Sequence, residues 1–301
     1  MANVLTDLAP DIYKAADVVG REQVGFIPAC TINADGSERV AKNGTVRSHF
    51  TRKATAVDVS PSMTIPEGTD QTVDNKTLVI NKFRAVQIPW TGEDVKYVNT
   101  QGGPGFSTIY GDQLAQAMRT LTNEIEADLG VAAYQGASRA VGTAGTTPFA
   151  SSHTIVNDVR KALVDNGSPV MDGQVSLVMN TTAGTNFRNL SNLYKVNEAG
   201  SASLLRQGVL QDISSIMMRE SAQVATHTKG TGSGYLLNGA LAVDDTVATV
   251  DTGTGTILAG DVVTYAADTG NKYVVNTALS GGDFAMGSPG ARIALPDNNA
   301  I

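Results

Sequence analysis

The sequence predicts an α+β fold, and three observations carry that expectation. First, one long amphipathic helix stands out over 111–135, where Leu114, Met118, Leu121, Ile125 and Leu129 recur at helical spacing on one face. Second, strand-like runs flank a polar link in the first third of the chain. Third, residues 229–301 abandon helical periodicity for short alternating strands separated by Gly-bearing turns. With 301 residues and 42% hydrophobic residues, the chain is long enough to bury a core and to hold more than one domain.

Taken in order, residues 1–40 open with an apolar stripe, Leu5, Leu8, Ile12, Ala15, Ala16 and Val19, predicting a short helix that starts after Pro10. It would dock on its own domain or lie as an arm on a neighbour. Residues 41–90 read as β and predict a long hairpin. Ala56–Val59 and Thr77–Ile88 are rich in β-branched residues, and Ser60–Asn75 between them is polar. The first side carries Arg47, Arg52 and Lys53, and the far side Glu67, Asp70 and Asp74. These six residues are the candidate contacts between subunits. A hairpin this thin buries neither of its faces alone, so it is either a solvated excursion or a strap over another subunit.

The long helix follows this β region. Asp112 is placed to cap its start and Gly136 to stop it, and Gly142–Pro148 then gives an irregular link. Leu114, Met118, Leu121 and Ile125 are its expected core residues. Glu124 and Glu126 are read as a solvated face, because residues two apart on a helix do not share a side. Residues 150–228 alternate helix and strand: helix at Val156–Val164, strand at Gln174–Met179, helix at Asn186–Tyr194, strand at Ile213–Ser221. Gly230–Gly234 is read as a hinge into the β-rich segment, which carries more acidic than basic residues. Asp244, Asp245 and Asp251 are read as turn residues.

The chemistry-bearing residue types are thinly spread. His49, His153 and His227 lie in separate segments outside zinc-binding spacings, and one cysteine, Cys30, forms no disulfide within the chain. There is no phosphate-binding glycine loop and no nucleophile elbow. The expectation is therefore no enzyme, no catalytic, cofactor or metal residues, and no cofactor. The net charge of −7 argues against a protein that reads or wraps DNA through a basic face. The N-terminal MANVLTDLAPDIYK carries acidic residues and no apolar core of signal-peptide length, and no run approaches 18 apolar residues, so neither a signal peptide nor a membrane span is expected.

Several stretches together resemble the major capsid (coat) proteins of tailed bacteriophages. They are QAMRTLTNEIEADL followed by ASRAVGTAGTTPF within 113–149, Leu5–Leu8 with Asp11–Tyr13, and Val19–Pro28. Trp90–Glu93, Asp165–Pro169, Val196–Ser201 and Arg219–Ser221 continue the likeness in the same order. The wording is similar to the short-tailed-phage coat type with an inserted β-domain. That resemblance implies the Hong Kong 97 capsid fold. It implies an N-terminal arm at 1–40, an extended hairpin loop at 41–76 and a peripheral domain at 77–149 around the spine helix 111–135. It further implies an axial domain at 150–228, an inserted domain at 229–290, and at 291–301 the start of a return to the axial domain. It implies self-assembly into hexamers and pentamers of an icosahedral shell, with a scaffolding protein and portal. The shell would enclose double-stranded DNA without sequence-specific contact, with a decoration protein as a further partner. The implied location is the virion, after assembly in the host bacterial cytoplasm. Two alternatives stand beside this: an encapsulin-like compartment shell, and a cytosolic enzyme with a β-rich accessory domain.

Overall fold

The computed structural model describes residues 17–19, 25–32, 43–51, 56, 73–100, 106–168, 170, 174–195, 207–208, 210 and 212–301. They fall into two compact units, Thr31–Gln87 and the remainder, Met1–Cys30 with Ile88–Ile301. Most of the expected first helix and the tip of the hairpin lie outside the described residues.

The smaller unit holds one antiparallel pair, β1 (Thr45–Thr51) and β2 (Val73–Val79), in register from Thr45 opposite Val79 to Thr51 opposite Val73. The hairpin is present, but its described strands differ from the expectation. The first described strand forms around Val46, while 57–59 of the expected first strand lies outside the described residues; the second ends at Val79, so 80–88 takes no regular form. Val46, Val73, Val79 and Phe83 are not buried, and Leu78 is 69% exposed.

In the larger unit, α1 (Gly92–Thr100) opens with a reciprocal cap. The Thr91 amide donates to Asp94 Oδ2 at 3.1 Å, and the Asp94 amide donates to Thr91 Oγ1 at 3.3 Å. The long helix, α2, runs Phe106–Gln135 over 30 residues, about 45 Å at 1.5 Å per residue. It starts earlier than expected, so Asp112 is an interior residue and not the cap. It stops where Gly136 predicts, the Gly136 amide donating to Ala132 O.

The next region packs α3 (Thr154–Asp165), α4 (Thr181–Arg188) and α5 (Ser191–Tyr194) about a parallel pair, β3 (Val175–Met179) with β4 (Ile216–Glu220). Its core includes Phe149, Val156, Phe187, Leu190, Ile216 and Met218. Phe149 meets Phe187 edge-on, with centroids 5.2 Å apart at 84°. The helix expected over Asn186–Tyr194 is instead two helices. α4 begins earlier because Asn180 caps it, its side chain accepting from the Ala183 amide at 2.8 Å, and it ends at Asn189.

The β-rich segment forms a five-stranded sheet in the order β5 (Leu236–Leu237), β6 (Val247–Asp251), β9 (Asp283–Met286), β8 (Asp268–Ser280), β7 (Val262–Tyr265). Tyr265, Tyr273, Val275, Phe284 and Leu295 fill its interior. Residues 291–301 belong to this body, which corrects the expected return toward another domain. Leu241 and Leu295 exchange both main-chain hydrogen bonds. The Leu237 amide donates to Asn299 O, the Ile301 amide to Tyr235 O, and the Ala266 amide to Ala300 O. Residues 298–301 thus touch β5 on one side and the end of β7 on the other, closing the sheet into a small barrel.

Gly230–Gly234 is also not a free hinge. Gly232 donates to Thr256 O, Ser233 pairs with Thr254, and a Cβ on Gly230 would lie 2.2 Å from Thr256 O. The glycine is there for close approach of backbone to backbone.

Candidate assembly surfaces

Four places in the described residues bring together side chains that sequence reasoning singled out or missed. The first is the hairpin. Arg47 is exposed on β1 opposite Thr77, and Asp74 occupies the β2 register position opposite Phe50. Arg52, Lys53, Glu67 and Asp70 lie outside the described residues.

The second is α2. Leu114 is buried, and Met118 and Leu121 are half-buried. Ile125 is not a core residue: it is 53% exposed, while its neighbour Glu126 is 8% exposed. Successive helix positions point about 100° apart, so turning Glu126 inward turns Ile125 out. The solvated-face expectation therefore fails at Glu126. Its carboxylate accepts two consecutive main-chain amides of the N-terminal segment, Phe26 N at Oε1 and Ile27 N at Oε2, the latter at 2.9 Å. Two glycines make room for this clasp. A Cβ on Gly25 would fall 1.8 Å from Glu126 Oε1, and one on Gly130 would fall 3.1 Å from the Phe26 ring. The Phe26 carbonyl then accepts from Ala29 and Cys30, folding Ile27–Ala29 into one 3-10 turn. The sequence signal was the small residue before Phe26-Ile27-Pro28, but nothing in the spacing linked it to a glutamate a hundred positions away.

The third place joins the end of α2 to the barrel. His227 Nε2 lies 2.7 Å from Asp261 Oδ1, and its ring tilts against Tyr134 with centroids 5.3 Å apart. The Asp261 carboxylate also accepts from the Leu258 amide at 2.7 Å and the Gly230 amide at 3.1 Å. Burial pushes the Asp261 carboxyl up. The hydrogen bonds from His227, Leu258 and Gly230 and the nearby imidazole outweigh that and hold it below the usual carboxylate range. Gly260, at φ +96°, lies under the Tyr134 ring, which a Cβ would enter.

The fourth lies where the segment after α2 adds to the barrel. Arg139 bridges to Tyr273, the Ala140 amide donates to Lys272 O, and the Arg139 guanidinium sits 4.4 Å above the Tyr273 ring. Arg139 Nη2 donates to Gly290 O at 2.7 Å. Burial lowers the pKa of this guanidinium, and Arg292 lowers it further. The Tyr273 hydroxyl donates to buried Asp268 at 2.5 Å and accepts from the Arg292 amide at 3.0 Å. Beside this contact an open groove of about 760 Å³ runs between loop 140–152 and the barrel's edge at Val262 and Thr264.

His153 contacts Asn192 Nδ2 at 3.1 Å, and His49 lies on β1. Among the described residues no three His, Cys, Asp or Glu side chains converge as metal ligands. No described helix is long and apolar enough to cross a membrane. Asp245 fills the turn role expected of it, accepting from the Ala242 amide at 2.9 Å, and Asp244 holds a left-handed turn at φ +68°.

No protein-family model matches the chain, and no curated protein matches it. A solved structure from Mycobacterium phage Che8 is similar to it over 92% of this chain and 90% of that one, with a TM-score of 0.53 and 12% sequence identity. The chain is similar in fold to a phage protein. At that identity the likeness is one of fold, and it spans nearly the whole of both chains.

Proposed function

We propose that this chain is the major capsid protein of a tailed bacteriophage, with the Hong Kong 97 fold and an added β-barrel, and that its role is structural. The observation that carries the reading is the fold similarity to a phage chain across nearly the full length of both. Two features agree with it. Among its described residues the hairpin unit has two strands, and none of those whose burial is described is buried, too little to be stable by itself. Repeated contact with neighbours supplies what it lacks. The net charge of −7 suits a container whose wall must not hold its DNA tightly. The copies form hexamers and pentamers of an icosahedral shell around double-stranded DNA. They assemble in the bacterial cytoplasm with a scaffolding protein and portal and end in the virion.

Electron microscopy tests this. The chain expressed in bacteria with the products of its genomic neighbours should give closed shells of uniform diameter. Discrete small particles under every partner combination would refute it.

A further inference from the structure

A cavity of about 210 Å³ lies where α3, the segment after α2 and the start of β8 meet the last stretch of the chain. Its charged lining is Arg139, Lys161, Lys272 and Arg292 against Asp158 and Asp165. Cations outnumber carboxylates here, in a chain whose net charge is −7. Lys161 pairs with Asp165 at 3.1 Å, one turn along α3, and Asp158 is exposed. The other three cations make their hydrogen bonds, among the described residues, to main-chain carbonyls. Arg292 Nη1 donates to Asp165 O at 2.8 Å, Lys272 Nζ donates to Gly142 O, and Arg139 donates to Ser138 O at 3.1 Å and Gly290 O at 2.7 Å. A carbonyl satisfies an N–H but leaves the charge of the group in place.

One further carboxylate acts on this group. Asp268 is buried, and its oxygens already accept from the Asn271 amide at 2.8 Å and the Tyr273 hydroxyl at 2.5 Å. Burial is the first cause lowering the Arg139 pKa, and beyond it the lowering by Arg292 exceeds the raising by Asp268. Two guanidinium groups thus repel each other where they line the same cavity, and a shared anion relieves that repulsion. Arg139 Nε is also buried with no hydrogen-bond partner among the described residues. The geometry points to a binding site for one small phosphate-type oxyanion, held between Arg139, Lys272 and Arg292. Guanidinium forks match the oxygens of a phosphate, and the lysine adds a point charge. The cavity is compact, and the net charge of the chain opposes a nucleic acid strand, so the ligand is a single ion or a small ester. Once bound, it ties the barrel, through Lys272 and Arg292, to the segment after α2, through Arg139. The inference does not depend on the capsid reading, since all three cations lie in one subunit.

The test uses the full chain and radiolabelled orthophosphate as the probe, in equilibrium dialysis at fixed ionic strength so that screening stays constant. Uptake should saturate at one ion per chain. Loss of one charged donor, in Arg292→Gln or Lys272→Gln, should weaken it at least about tenfold. Arg292→Lys keeps the charge and should bind nearly as well as wild type, which separates loss of the site from loss of the fold. Lys161→Gln, whose exposed charge Asp165 already matches, should change uptake by less than about threefold. Adenosine monophosphate as competitor distinguishes the two sources of the ligand. Displacement of the label shows that phosphate esters enter, and its absence assigns the site to the free ion. No saturable uptake up to about 10 mM, a concentration that reaches well into weak binding, overturns the proposal. Equal uptake by wild type, Arg292→Gln and Lys272→Gln also overturns it. Thermal melting gives a second readout. Binding at one site gives a rise in Tm that saturates with orthophosphate and that chloride at equal ionic strength does not reproduce. A linear rise shared by all variants is the general effect of phosphate on protein surfaces and counts against the site. Both measurements are readable whether or not shells form.

Discussion

Cutting the barrel after Gly290 should unfold it. Residues 291–301 contribute one of its buried leucines, Leu295, together with buried Ala291, and Ile301 packs against the same core. They also exchange main-chain hydrogen bonds with Tyr235, Leu237, Leu241, Asp244, Asp245 and Ala266. At about 1 kcal/mol net for each of these bonds, their loss amounts to roughly 8 kcal/mol. Removing Leu295 from its buried site adds about 1.5–3 kcal/mol. A body of some seventy residues has a total stability of only about 4–11 kcal/mol. The loss therefore equals or exceeds what is there to lose. The assay compares two fragments, 229–301 and 229–290, by amide dispersion in a two-dimensional NMR spectrum and by urea denaturation. The longer fragment should give dispersed amides and a cooperative transition. The shorter should give neither. Equal stability of the two fragments would show that the terminal residues merely lie on a complete barrel, and the closure argument would fail.

Other perturbations have equally definite outcomes. Phe187→Ala removes a fully buried ring that meets Phe149 edge-on, and should cost about 3–5 kcal/mol by denaturation midpoint. Leu114→Ala should cost about 2–5 kcal/mol if its burial matches that of a core leucine, whereas Ile125→Ala should stay within about 0.5 kcal/mol in the isolated subunit. Equal losses would contradict the helix orientation. Asp261 has a depressed folded-state pKa, so its contribution is fully present above its unfolded value and is lost as pH falls through the folded one. Acid titration below about pH 4 should thus show a stability loss that Asp261→Asn removes; a superimposable acid limb in the variant would speak against it. Under the proposed function, Arg47→Glu should leave the subunit's melting nearly unchanged, since an exposed pair is worth about 0–1 kcal/mol. It should slow shell formation at low salt, and the difference should shrink as salt rises. Assembly that matches wild type at low salt would release the hairpin from any charge role.

The sequence revealed what depends on local pattern. The long helix, its stop at Gly136, the strand at Val175–Met179 and the β-rich character after His227 all follow from periodicity, turn residues and β-branched enrichment. Features that depend on a distant partner were hidden. Glu126 looks like any surface glutamate until the amides of Phe26 and Ile27 are brought to it. The Gly230–Gly234 run looks like a hinge because glycine is permissive, but at Gly230 the missing side chain serves close packing on Thr256. Leu295 lies in a short, proline-ended stretch with no period of its own, so only its pairing with Leu241 reveals it as core. The early start of α2 at Phe106 escaped for a different reason: Gly111 and Asp112 look like a break and a cap, although Phe106, Ile109 and Tyr110 extend the helical spacing back from Leu114.

Closure of the barrel by residues 298–301 also governs when it can form. Leu236 begins the sheet and Ala300 completes it by bridging to the same residue, so the first strand waits for nearly the whole segment to be synthesised before its outer edge is satisfied. Pairings of such wide sequence separation are slow, because the loop must close before the contact rewards it. Until then β5 presents an open edge, and the nascent body is a target for strands of other chains. Production of this protein at high synthesis rates or elevated temperature should be limited by that interval, with aggregates arising from the barrel rather than from the helical region.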